Sequence, residues 1–157
     1  MASPGQPVSE IAESISPRFA KQALAAVVNK QMVDLSFPLE TDSAVTFVTH
    51  DSPEALHLYR HSTAHLMAAA VTALFPEAQC GIGPPIDEGF FYDFVVNRPF
   101  VPEDLIAIEQ KMKEFASQNL PFERRILSKE EAKDCFHDKA EPLKVQLIDE
   151  KGGPVVS

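Results

Sequence analysis

Leu58 to Ala70 reads LYRHSTAHLMAAA, with His61 and His65 separated by three small residues in an apolar, alanine-rich run. Alanine and leucine favour a helix, and on a helix residues four apart lie on one face, about a turn from each other. The two imidazoles can therefore hold one water, one metal ion or one substrate group between their nitrogens. The plainer alternative is that one histidine caps a neighbouring carbonyl and the other is solvated, and zinc would require further ligands. His57 extends the spacing, but each step of four overshoots a turn by roughly 40°, which rotates it away from His65 and out of the pair.

Outward from this stretch, Ser52 as a cap and Pro53 at the first helical position predict a helix from Pro53 to Phe75. The loop PEAQCGIGPPIDEG follows, and FFYDFVV then predicts a strand on which Phe90 and Tyr92 share a face. Gly81, Gly83 and Gly89 superficially suggest a phosphate loop, but the run has no Walker lysine and no dinucleotide spacing, and it opens no helix. In PEDLIAIEQKMKEFASQN, Leu105, Ile108, Met112 and Phe115 predict one buried helix face, with Glu109, Lys111 and Lys113 in water. FERRILS reads as a strand and SKEEAKDCF as a short helix opened by a Ser128–Glu131 capping box. LKVQLIDE reads as a last strand whose alternation puts Lys144, Gln146 and Ile148 on one face, an exposed one on the usual rule for lysine.

Upstream, MASPGQP predicts a segment without fixed structure, and VSEIAESIS a helix capped by Ser9 and closed by Pro17. Val27 to Phe37, with Asn29-Lys30 as the turn, and SAVTFVT predict short strands. The fold class is α+β, with one small module over residues 1–50 and a second over 51–157.

The chain has 157 residues, 45% of them apolar and 24% charged, which allows one medium domain or two small ones. No apolar run approaches the roughly 20 residues of a membrane span, and the N-terminus lacks the pattern of a secretory signal. These features predict a cytoplasmic protein with no membrane partner. Cys80 and Cys135 are far apart and predict two reduced thiols. A formal charge of -9 argues against autonomous binding of a phosphate backbone.

RHSTAHLMAAAV, GIGPPIDEGFFYDF, the segment EDLIAIEQKMKEFASQNLPFERRILSKEEAKDCF and LKVQLIDE together resemble, in order and separation, the editing domain of bacterial threonyl-tRNA synthetases. The segment PVSEIAESISPRFAKQALAAVVNKQMVDLSFPLETDSAVTFVT resembles the later part of the ubiquitin-like TGS domain of the same enzymes. The resemblance implies a partial TGS domain over 1–50 and the N-terminal part of an editing domain over 51–157. It implies hydrolysis of seryl-tRNA(Thr) made in error, because one missing methyl is worth only about 1–3 kcal/mol in a synthetic pocket. His61 and His65 then position water and the tRNA terminus, Lys144 stabilises charge on the ester oxygen, and Tyr92 contacts the substrate.

The partner implied is the acceptor end of tRNA(Thr) carrying serine. No cofactor or metal is implied for this region, since ATP, magnesium, zinc and the homodimer contacts belong to the family's catalytic core. That core and a CxxxH segment completing the family's pocket lie beyond Ser157. The expectation is thus an N-terminal fragment that charges no tRNA, deacylates weakly or not at all, and exposes apolar faces. Two other readings stand beside it: a non-catalytic RNA-binding or regulatory module, and a freestanding zinc hydrolase of the alanyl-tRNA editing type, which uses a similar HxxxH.

Overall fold

The computed structural model describes residues 4–120, 122 and 124–156. Helices and short antiparallel strands divide between two units, Met1–Tyr59 and Arg60–Ser157, so the chain is α+β.

In the first unit β1 (Gln6–Pro7) leads into α1 (Val8–Ile15), followed by α2 (Pro17–Ala20), β2 (Ala23–Val28), β3 (Gln31–Val33), β4 (Pro38–Leu39) and β5 (Val45–Thr49). The three-stranded sheet has the order β3-β2-β5, and β1 pairs with β4. The sheet forms because Asn29 and Lys30 both take positive φ, 49° and 72°, closing a two-residue hairpin whose twist suits the strands. Asn29 also ties that turn to the start of β5: its side-chain oxygen accepts from the Ala44 N–H at 3.0 Å. Val8, Ala26, Val28, Val33 and Leu39 are the buried centre, with Ile11, Phe37 and Phe47 packed around them.

Three local expectations change here. Gln6 and Pro7 are ordered because the Gly5 N–H donates to Leu39 O at 2.8 Å and carries the chain into β1; Met1 to Ser3 lie outside the described residues. Pro7, not Ser9, occupies the cap position of α1, with no side-chain cap bond, since the chain enters the helix directly from that strand. Pro17 opens α2 behind a Ser16 cap, Ser16 Oγ accepting from Phe19 N–H at 3.0 Å, and so begins a helix as well as following one.

The long helix α3 (Ala55–Leu74) starts two residues later than Pro53. Ser52 Oγ is occupied by the Thr49 N–H at 2.8 Å, so it closes the preceding turn and cannot cap from Pro53. After α3 come β6 (Gln79–Cys80), β7 (Pro85–Ile86), β8 (Gly89–Phe90), β9 (Phe94–Val95), α4 (Pro102–Ser117), β10 (Leu127–Ser128), α5 (Lys129–Asp138), α6 (Pro142–Lys151) and β11 (Val155–Val156). β6 pairs with β9, β7 with β8 and β10 with β11. The core of this second unit is Ala70, Val71, Ala78 and Ile108, with Met67, Phe75, Phe94, Phe100 and Met112 against it.

The single strand expected over FFYDFVV is divided between β8 and β9, because the β7–β8 hairpin turns the chain before β9 can pair with β6. The alternation itself persists: Phe90, Tyr92, Phe94 and Val96 are half-buried while Phe91, Asp93 and Val95 are exposed. On α4, Ile108 is buried, but Leu105 is 58% exposed, so the apolar stripe reaches water at its N-terminal end. Lys111 is half-buried, its ammonium 5.4 Å from the Phe115 ring centroid and bonded to Glu114 at 2.6 Å. The strand expected over FERRILS shrinks to Leu127–Ser128; Phe122 and Arg124 to Ile126 are in no strand, and Glu123 lies outside the described residues. The Ser128–Glu131 capping box is present, with Ser128 N–H donating to Glu131 Oε2 at 2.9 Å.

The largest correction is LKVQLIDE, which is helix α6 and not a strand. In so short a window the apolar residues fit both periods. Pro142 is suited to a helix's first position, and α5 then decides: Lys129 and Lys133, one turn apart, both reach Asp149, at 3.0 Å to its carbonyl and 3.0 Å to its carboxylate. Ile148 is thereby buried on the face it shares with Lys144. Two-stranded pairings leave much apolar surface in water, including Ile106, Leu120, Ile126 and Val155.

Candidate functional site

His61 and His65 do lie together. Both are on the exposed face of α3, their Nε2 atoms 2.9 Å apart and their ring centroids 4.8 Å apart, so one imidazole donates to the other. The helix holds them there because Ala64, Ala68, Ala70 and Val71 carry its buried side. His57, also exposed, is outside the pair.

Partial desolvation, then His61, then Lys144 all hold the His65 pKa below its ordinary 6.5. Each cause disfavours the imidazolium, so at neutral pH His65 is a neutral ring able to accept a proton or orient a water.

Lys144 is not on an exposed face. From α6 its ammonium donates to Gly81 O at 2.8 Å and to the Tyr92 hydroxyl at 3.1 Å, and it lies 5.4 Å from the Tyr92 ring centroid. The rule that lysine stays in water fails here because these two oxygens replace part of its hydration. The Tyr92 ring is stacked on Phe94 at 5.0 Å, which fixes its plane. All four residues singled out in the sequence, His61, His65, Tyr92 and Lys144, thus belong to the second unit as two contacting pairs, with Lys144 acting electrostatically on His65.

Four contacts escaped the sequence reading. Gly81 supplies the carbonyl for Lys144, and Gly83 lies against the Tyr92 ring. Arg60 donates through Nη1 to Asp87 O at 2.6 Å and Ile86 O at 3.2 Å, tying the tip of the β7–β8 hairpin to α3. Glu141 accepts from the buried Cys80 N–H at 3.2 Å. Burial and Glu141 push the Cys80 thiol pKa up, against a weaker opposite pull from Lys144, so the thiol stays protonated. The closely spaced glycines of GIGPP were the available signal for the first two; the others depend on long-range pairing.

Two nitrogens bound to one tetrahedral zinc sit roughly 3.3 Å apart, given Zn–N distances of about 2.0–2.1 Å. His61 and His65 are closer and bond each other, and among the described residues no group of three or more His, Cys, Asp or Glu comes together. The residues described do not make a zinc ligand set.

The TGS domain family matches residues 3–49, the segment that forms the hairpin sheet of the first unit. The chain carries an N-terminal TGS domain. Together with the region after this TGS domain, it is similar to threonine-tRNA ligases of bacteria. It is 49% identical over 142 residues to that of Teredinibacter turnerae, covering 90% of this chain and 22% of the relative. Against the Geobacter sp. enzyme it is 48% identical over 153 residues, 98% of this chain and 24% of the relative. Against that of Methylococcus capsulatus it is 50% identical over 140 residues, 89% of this chain and 22% of the relative. The chain therefore spans under a quarter of the length of the curated relatives it matches, and it is homologous to their N-terminal region. No described helix is long and apolar enough to cross a membrane.

Proposed function

We propose that the region after the TGS domain serves post-transfer editing, hydrolysing the ester of serine mischarged on tRNA(Thr). The observation that carries this reading is the His61–His65 contact on an exposed helix face, with the Lys144 ammonium held by the Tyr92 hydroxyl in the same unit. Water is the nucleophile. Its oxygen bonds to the seryl carbonyl carbon while neutral His65, supported by His61, accepts its proton. Lys144 stabilises the negative charge that develops on the carbonyl oxygen. The bond from that carbon to the ribose oxygen then breaks, the proton passes to the ribose oxygen, and serine and uncharged tRNA leave.

This reading assigns the region no cofactor and places it in the cytoplasm, where translation occurs. The net charge of -9 suits a site that meets only the acceptor end of the tRNA and leaves the backbone to other parts of a synthetase.

Seryl-3′-aminoadenosine, whose amide replaces the labile ester, tests the reading by NMR titration of this chain. Saturable shifts of the His61, His65 and Tyr92 ring signals, weakened by His61→Ala, support it. Binding that leaves those rings unmoved points to a non-catalytic RNA module, and no binding at all removes the editing assignment from this region.

A further inference from the structure

Gly83 lies in the loop between β6 and β7, and the space its missing side chain leaves is filled by Tyr92. A Cβ built there would sit 2.1 Å from Cδ2 and 2.6 Å from both Cε2 and Cγ of the Tyr92 ring. Carbon atoms pack at about 3.5–4.0 Å, so an alanine and this ring position exclude each other. Backbone conformation is not the reason for glycine here, since Gly5 is the described glycine with positive φ. Gly89, by contrast, has nothing within 4 Å of its built Cβ.

The ring so seated has one polar product, the Tyr92 hydroxyl at 3.1 Å from Lys144 Nζ. Gly81 O takes a second N–H of the same ammonium, at 2.8 Å. An ammonium has three N–H groups, and among the described residues the third meets no acceptor. Two fixed bonds therefore aim the remaining donor and leave it for an oxygen from outside the chain.

We propose that Gly83 is a positioning residue: its bare Cα seats the Tyr92 ring so that the hydroxyl, with Gly81 O, aims the last N–H of Lys144 at a ligand carbonyl oxygen. The identity of that ligand, a seryl ester, rests on the editing reading; the seating of the ring does not.

Tyr92 can be watched alone in a Tyr59→Phe background, because the sequence has two tyrosines and no tryptophan. In that background Gly83→Ala abolishes the near-UV circular dichroism band of Tyr92 and shifts the Lys144 Nζ resonance, while Gly89→Ala changes neither. Tyr92→Phe leaves the ring seated but shifts the same Lys144 resonance, and so tests the hydroxyl contact if Gly83→Ala fails to fold. Gly83→Ala weakens seryl-3′-aminoadenosine binding about tenfold, the effect of about 1.4 kcal/mol. An unchanged Tyr92 band in folded Gly83→Ala, an equal change in Gly89→Ala, or an unmoved Lys144 resonance in Tyr92→Phe overturns the proposal. If the spectra respond as stated but wild-type chain does not bind the analogue, the positioning role stands and the editing reading fails.

Discussion

Replacing Lys144 by methionine removes the ammonium while keeping most of the length of the aliphatic stem. Gly81 O and the Tyr92 hydroxyl then lose donors now at 2.8 and 3.1 Å. Hydrogen bonds to a charged group are worth about 1.5–3 kcal/mol, but relief of the lysine's own desolvation offsets part of this, leaving a net loss of about 1–2 kcal/mol. For a domain of 60–100 residues each kcal/mol shifts the melting temperature by about 4–8 °C, so the second unit should melt roughly 4–16 °C lower. The same substitution removes one of three causes holding the His65 pKa down, so that pKa should rise while desolvation and His61 keep it below its ordinary value. Calorimetry reads the first effect and a pH titration of the His65 Cε1–H resonance the second. A Lys144→Met chain with unchanged melting and an unchanged His65 titration would refute the account of this lysine.

Because the folded His65 pKa lies below the unfolded 6.5, the unfolded chain binds the extra proton first as pH falls. The His65 contribution to stability is complete above pH 6.5 and declines as pH drops toward the folded value; denaturant titrations should show that slope, and His65→Gln should flatten it. Ile108→Ala opens a cavity in the second unit's core and should cost about 2–5 kcal/mol there, leaving the calorimetric transition of the TGS unit in place. Ser128→Ala removes the Oγ that accepts from the Glu131 N–H at the start of α5, leaving the backbone N–H bond to the Glu131 carboxylate in place, and should cost about 0.5–2 kcal/mol, read as a lower denaturation midpoint.

What could be read from the sequence followed local rules. The HxxxH face depends only on helical geometry, and the Asn29-Lys30 turn and the Ser128 capping box are set within four residues, so all three stand in the structure. LKVQLIDE had no such local arbiter: its apolar residues satisfy two periods, and Lys129 and Lys133 of α5 select the helix from about twenty residues away. Lys144 illustrates the same limit at the site. Composition rules put it in water, whereas two oxygens more than fifty residues upstream in the sequence hold it partly inside. Strand alternation gave no hint of either contact, because it set Lys144 on an exposed face.

The editing claim meets its most direct test in the hydrolysis of Ser-tRNA(Thr) and Thr-tRNA(Thr) by the gene product carrying this region, with His65→Ala compared to wild type. The account predicts that wild type clears the seryl ester and spares the threonyl ester, and that His65→Ala loses this clearance. Seryl-tRNA hydrolysis that survives His65→Ala, together with His61→Ala, would contradict it.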